Sequence, residues 1–87
     1  MLFRSVARRN RLLGTWAAGL MGLSDVEGEA YAKDVVRAEF EEAGDEDVIR
    51  KLLGDLTNAG VEIDDSTIRE QLGHKADEAR RQLMAGN

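Results

Sequence analysis

The glycine and proline content of this 87-residue chain is that of a helical protein. Proline is absent, and most of the nine glycines lie where a periodic segment stops, which is where helices usually end. No segment alternates apolar and polar residues as a half-buried strand does. A chain of this length has room for one domain. The sequence therefore predicts an all-α, single-domain four-helix bundle that occupies residues 1–87.

The first predicted helix, at about residues 3–21, has one apolar face. At 100° per residue this face carries Val6, Leu13, Ala17 and Leu20. Trp16 lies beside Leu13 and Leu20, and we expect it in the core, because tryptophan supplies much of the buried area of a small protein. Gly14 and Gly19 each cost about 1 kcal/mol relative to alanine inside a helix. Close packing of a neighbouring helix would compensate for that cost.

The second predicted helix, at about residues 25–43, begins with a capping box and stops at Gly44. In the box, Ser24 and Glu27 each accept a hydrogen bond from the other's backbone N–H. The apolar residues of this helix spread over much of its circumference, which predicts a central position in the bundle. They are Val26, Ala30, Tyr31, Val35, Val36 and Phe40.

The third and fourth predicted helices cover about residues 46–59 and 65–84. Asp45 has the chemistry to cap the third helix, and Gly60 ends it. Val61 and Ile63 lie in the short extended link that follows, and we expect their side chains to pack against the bundle. The fourth helix begins near Asp64 or Asp65 and has a narrow apolar stripe, typical of a peripheral helix. The stripe consists of Ile68, Leu72, Ala76, Ala79 and Leu83.

Charge is distributed unevenly along the chain. Arg4, Arg8, Arg9 and Arg11 precede the uncharged stretch 12–23, whereas all 17 Asp and Glu residues lie at Asp25 or later. Residues 25–87 hold the other eight Lys and Arg and thus carry −9, against +4 before them. Such a pattern is typical of a signal peptide, a membrane anchor or a basic helix with an acidic partner. The apolar stretch is shorter than the roughly 20 residues that span a bilayer.

A secretory or twin-arginine signal matches part of this region. Arg8 and Arg9, the apolar run and the small residues Ala30 and Ala32 all fit. The segment before Ala30, however, is already acidic and contains the capping box, which favours a helix start. The absence of cysteine fits a cytoplasmic location. The net charge of −5 argues against nucleic acid as a partner.

Residues suited to catalysis or to metal binding are scarce in the sequence. His74 is the single histidine and lies on the polar side of the fourth predicted helix, where we expect it to be exposed. The acidic clusters lie at helix ends, where capping and the helix dipole account for them. No window has the ligand spacing of a calcium loop, and no phosphate-binding glycine motif is present. The sequence therefore predicts neither an enzyme nor a metal site.

Several strings resemble one family. ARRNRLLGTWAAGLMGLS, YAKDVVRAEFEEAGDEDVIRKLLGDL and AGV follow each other from Ala7 to Val61, and TIREQL adds a weaker match. In this order and spacing they resemble the alpha-proteobacterial zeta subunits, which are ATP synthase inhibitor proteins with a four-helix fold.

The resemblance implies a regulator that blocks ATP hydrolysis by binding the catalytic head of ATP synthase, formed by the alpha, beta and gamma subunits. It implies a cytoplasmic protein that is a monomer when free and peripheral to the inner membrane when bound, with weak binding of ATP or ADP and no required cofactor. In this family an inhibitory arm of about twenty residues precedes the R-R-N motif, and such arms order on binding. The sequence here starts six residues before Ala7, so we expect this chain by itself to inhibit weakly or not at all.

The predicted partner-binding residues form the face of the first helix opposite its apolar residues. They are Arg4, Arg8, Arg11 and Thr15. The alternative is that this basic amphipathic helix binds an anionic membrane or another acidic partner, since each arginine near an anionic surface contributes about 1 kcal/mol.

Overall fold

The computed structural model describes residues 2–41 and 45–85 of the chain. They form four helices: α1 at Leu2–Met21, α2 at Asp25–Glu41, α3 at Glu46–Asn58 and α4 at Asp65–Met84. The described residues contain no strand. The predicted all-α four-helix bundle is confirmed.

The central helix of the bundle is α1. It packs against α2, α3 and α4, whereas α2 packs only against α1 and α3. The prediction that α2 lies centrally is therefore wrong. Val26 and Ala30 are exposed, Val26 by 81%, because they lie opposite the buried Val35 on the α2 helix. The side chain of Phe40 and the predicted stop at Gly44 lie outside the described residues.

The close approach of α1 to α2 depends on Gly14. A Cβ atom at this position would lie 2.8 Å from the Cα atom of Ala32, which is too close for two carbon atoms. The prediction of close helix packing is therefore confirmed at Gly14. It is wrong at Gly19, which is exposed and where an added Cβ atom would meet no other atom within 4 Å.

The core gathers apolar side chains from all four helices. Its buried members are Leu13, Ala17, Val35, Val48, Ile49, Leu52, Leu56 and Ile68. Trp16 is partly buried and packs against this cluster, as do Val61 and Ile63 of the link before α4. Leu20 was expected on the core face but is 46% exposed. It lies in the last turn of α1, just before the chain turns away at Gly22.

One of the two caps predicted at named residues is present, and a further cap begins α4. The Ser24 backbone N–H donates to Glu27 Oε1 at 3.0 Å, and the Glu27 N–H donates to Ser24 Oγ at 3.2 Å. Asp64 Oδ1 accepts from the Thr67 N–H at 2.9 Å at the start of α4. Asp45 precedes α3 but makes no side-chain cap hydrogen bond, because its backbone is helical, with φ −78° and ψ −17°, rather than extended. Its carboxylate pairs with Arg9 instead.

Glycines with positive φ end α1 and α3. Gly22 has φ +73° and Gly60 has φ +83°, a conformation that glycine adopts without steric cost. In each case the next residue's N–H donates to a carbonyl five residues back, from Leu23 to Ala18 and from Val61 to Leu56. Gly60 thus ends α3 as predicted.

The apolar stripe of α4 faces the bundle as predicted, but only part of it is fully buried. Ile68 and Ala79 are buried, and the other three members are partly buried. This pattern is that of a helix at the periphery of the bundle.

Candidate functional site

The two most deeply buried polar side chains of the described residues are adjacent on α1. Arg9 is 7% exposed and Asn10 is fully buried. The Arg9 guanidinium donates to Asn10 Oδ1 at 2.9 and 3.0 Å and pairs with Asp45 at 3.0 Å. Because burial of a charge is costly without partners, this cluster is structural and fixes α1 against the start of α3. In the sequence, Arg9 is only one member of the basic segment, and nothing there predicts this contact.

The other basic residues of α1 lie on its outer side. Arg4 and Arg11 are exposed, and Arg8 is partly buried. Arg8 donates to Gln82 Oε1 of α4 at 3.1 Å, and Arg11 pairs with Glu29 of α2 at 2.8 Å. The three arginines are thus spread along α1, between its two neighbours α2 and α4.

These three arginines share one surface groove. It has a volume of about 460 Å³ and is also lined by Ala7, Leu12, Val36, Gln82 and Leu83. The groove contains residues of α1, α2 and α4. Thr15, the fourth predicted site residue, is exposed and lies in a neighbouring depression between α1 and α2, where its hydroxyl donates to the Arg11 carbonyl at 3.0 Å. The structure therefore brings Arg4, Arg8 and Arg11 together and places Thr15 to one side.

Two further cations extend the groove along α2. Lys33 and Arg37 line a shallow depression that also contains Arg11 and Val36, two residues of the first groove. Lys33 and Arg37 are exposed and four residues apart, which places them on the same side of α2. Lys33 and Arg37 were not among the predicted site residues, although their spacing was a usable signal. Only the packing of α2 on α1 shows that they lie beside the arginines of α1.

No catalytic constellation appears among the residues that the structure describes. His74 is exposed, as predicted, and no group of three or more metal-ligating side chains was found in residues 2–41 and 45–85. Tyr31 donates to Asp55 Oδ2 at 2.8 Å, and Lys51 binds the same carboxylate at 3.1 Å. Burial of the phenol, followed by its hydrogen bond to Asp55, raises the Tyr31 pKa well above its usual value. This arrangement stabilises the neutral phenol and joins α2 to α3.

None of the helices in the described residues has the length and apolar character that a bilayer crossing requires. This finding agrees with the estimate made from the length of the apolar stretch 12–23.

Comparison with known proteins identifies the family. Residues 1–82 match the family model described as ATPase inhibitor subunit zeta. A protein solved by solution NMR is 44% identical and superposes with a TM-score of 0.87, and the match covers 100% of this chain and 99% of that chain. No curated protein matches the chain. Since the family model covers all four helices up to the last turn of α4, the chain belongs to the ATPase inhibitor subunit zeta family.

Proposed function

We propose that this chain is a regulatory protein that binds the catalytic head of ATP synthase and blocks ATP hydrolysis. The observation that carries the proposal is the family match over residues 1–82. The lack of a catalytic constellation in the described residues fits a regulatory role, in which interface contacts replace chemistry.

The contact surface in this proposal is the outer side of α1. Arg4 is exposed and has no hydrogen bond or ion pair within the described residues. Arg11 is also exposed, and its single ion pair with Glu29 lies at the surface, where such pairs contribute little to stability. Both guanidinium groups can therefore turn to a partner's carboxylates at small cost to the fold.

The membrane alternative lacks support from the packing of α1. An interfacial helix buries an apolar face in the lipid, but Leu13 and Ala17 are fully buried in the bundle and Trp16 packs against it. Among the described side chains of α1, the exposed Leu20 offers little apolar area. A protein partner is the better match to a helix whose apolar face is already occupied.

Weak binding of ATP or ADP is a further part of the proposal and rests on the family resemblance. The cations of the groove could bind phosphate oxygens, and its apolar residues could contact the base. Binding can be measured by chemical shift changes in the 87-residue chain on addition of ADP. Shift changes confined to residues outside the groove would place a nucleotide elsewhere.

The test of the main proposal is a titration of purified cognate ATP synthase with the 87-residue chain. Binding and ATP hydrolysis are both measured, and a second version of the chain carries a charged, helix-forming arm before Met1. We expect the 87-residue chain to bind and to inhibit weakly, and the longer version to inhibit strongly, because every 1.4 kcal/mol of added contact strengthens binding about tenfold. Absence of binding by both versions would overturn the proposal.

A further inference from the structure

The groove over α1 exists because two helices pack on α1 and not on each other. Val36 of α2 lies on one side and Leu83 of α4 on the other. No Cα atom of α2 lies within 8 Å of a Cα atom of α4 in the described part of the chain. A helix in a closed bundle is covered by neighbours on each apolar side, whereas this sector of α1 is open. The gap therefore has the form of a site for one more helix.

The apolar side chains that line the groove are only partly buried by the bundle. Ala7, Leu12, Val36 and Leu83 line it and are partly buried. Removing the rest of their apolar surface from water is favourable by about 25 cal/mol per Å². An occupant that gains this energy must itself present an apolar stripe.

Among the described residues, the edges of the groove are cationic and contain no carboxylate. Five cations line the groove and its extension, namely Arg4, Arg8, Arg11, Lys33 and Arg37. None of the described residues that line either depression is Asp or Glu, although the whole chain has 17 of them and a net charge of −5. Lys33, like Arg4, has no ion pair within the described residues. Arg11 and Arg37 already pair with Glu29 and Asp34. Arg4, Arg8 and Lys33 therefore contribute most to the preference for a negatively charged occupant.

We propose that this groove binds an acidic amphipathic helix of a protein partner. The apolar stripe of that helix would lie on Leu12, Val36 and Leu83, with its carboxylates beside the five cations, in the manner of other helix-in-groove complexes. The inference rests on the proposed function, which supplies a protein partner. An anionic lipid surface is a poorer match, because it is flat while the groove is concave and because it repels the net negative remainder of the chain.

The first test neutralises two cations at the edge of the groove. The double variant Lys33→Gln/Arg37→Gln leaves the predicted face of α1 intact and is compared with Arg50→Gln/Arg80→Gln. Each pair removes two positive charges, and Arg37, Arg50 and Arg80 each lose an exposed ion pair to an aspartate three residues before them. Arg50 and Arg80 do not line the groove. Binding to purified ATP synthase should weaken by about two- to thirtyfold in the groove variant and stay unchanged in the control. The salt dependence of binding should fall in the groove variant only.

The second test changes the apolar surface. Val36→Glu and Val36→Lys add side chains of similar length and opposite charge at one partly buried position. Because Arg11, Lys33 and Arg37 lie around Val36, the glutamate should cost the fold less than the lysine, and thermal unfolding measures both costs. An acidic helix is repelled by the glutamate and tolerates the lysine, so the two affinities should differ by about tenfold or more. Equal weakening by both would indicate an occupant without acidic character at this point and would overturn the inference.

The outcomes separate this inference from the proposed function. If neither the 87-residue chain nor the version with the added arm binds ATP synthase, the proposed function fails, and this inference fails with it. If the chain binds normally and neither the Lys33→Gln/Arg37→Gln pair nor the Val36 variants change binding, only the groove is wrong. Binding of the chain to phosphatidylglycerol vesicles that is lost in Lys33→Gln/Arg37→Gln would assign the groove to lipid and overturn the protein partner.

Discussion

The Arg9 guanidinium lies 3.0 Å from the Asp45 carboxylate and joins the middle of α1 to the residue that precedes α3. The Arg9 side chain is 9% exposed, whereas that of Asp45 is 47% exposed. The two partners therefore differ in what they lose when the pair is broken. An unpaired Asp45 can hydrate, but Arg9 stays buried. Stability should thus be more sensitive to the acid at residue 45 than its partly exposed position suggests.

We predict that Asp45→Ala lowers the free energy of unfolding by about 1 to 3 kcal/mol, because it removes a charged partner from a buried guanidinium. Asp45 makes no cap hydrogen bond, so loss of a cap does not contribute. Urea unfolding measures the change, and Asp34→Ala is the control, since Asp34 pairs with Arg37 at the surface and should change stability by less than about 0.5 kcal/mol. Equal effects of the two substitutions would contradict a structural role for the Arg9 pair.

Two glycines of α1 should respond in opposite ways to substitution by alanine. At Gly14 a methyl group would collide with the Ala32 backbone at 2.8 Å, so Gly14→Ala must push α2 away and should destabilise by about 1 to 3 kcal/mol. At Gly19 the space is open, so Gly19→Ala should stabilise by about 0.5 to 1 kcal/mol through its helix propensity. Thermal or urea unfolding of both variants tests the prediction. A gain in stability at Gly14 would show that α1 and α2 are further apart than described.

Features that depend on residues close together in the sequence could be predicted, whereas features that depend on distant residues could not. The capping box at Ser24 depends on residues three positions apart, so the sequence alone predicts it. The central position of α1 depends on how four helices share one core, and the spread of apolar residues on α2 pointed to the wrong helix. Arg9 and Asp45 are 36 positions apart, and nothing local marks either as half of a buried pair.

The candidate site likewise has one part that the sequence predicts and another that depends on the packing of the helices. The basic face of α1 follows from its periodicity, so Arg4, Arg8 and Arg11 could be predicted. Lys33 and Arg37 belong to another helix, and their proximity to Arg11 depends on the packing of α2 against α1. The absence of carboxylates among the described residues of the groove is likewise a property of three helices together, and no single segment of sequence contains it.

Acid should destabilise the fold through the carboxylates at helix starts. The hydrogen bond from the Ser24 backbone N–H lowers the pKa of Glu27, and the hydrogen bonds with Thr67 lower the pKa of Asp64. A pKa that is lower in the folded state means that the stabilisation is present above the unfolded pKa and is lost as pH falls through the folded pKa. We predict that the free energy of unfolding of Glu27→Gln falls less than that of the unchanged chain between about pH 5 and pH 3.

The control for the acid prediction is Glu70→Gln, which changes an exposed carboxylate of α4 that has no hydrogen bond or ion pair within the described residues. Its acid dependence should follow that of the unchanged chain. If Glu27→Gln and the unchanged chain lose stability in parallel, the capping box does not form in solution.

We predict that α1 stays in the bundle when the chain binds ATP synthase. Leu13 and Ala17 of α1 are fully buried, and Asn10 lies beside the Arg9 pair. Release of α1 from the bundle would therefore expose the core and unpair buried polar groups. The basic groove, by contrast, is accessible with α1 in place. We therefore expect the chain to bind ATP synthase with α1 docked.

A disulfide between α1 and α2 tests this expectation directly, because the chain contains no cysteine of its own. A Cβ atom on Gly28 would lie 3.4 Å from the Ala18 Cβ atom, close to the roughly 3.5 to 4.5 Å found in disulfides. In the double variant Ala18→Cys/Gly28→Cys, the oxidised bond fixes α1 to α2 and reduction releases it. Binding and inhibition should be the same in both redox states, because the groove residues of α1 precede this bond and keep their positions. Ala18→Cys alone, treated with the same oxidant, controls for the added thiol. Loss of binding on oxidation and its return on reduction would show that α1 must move, and the interface would then include the face of α1 that the bundle buries.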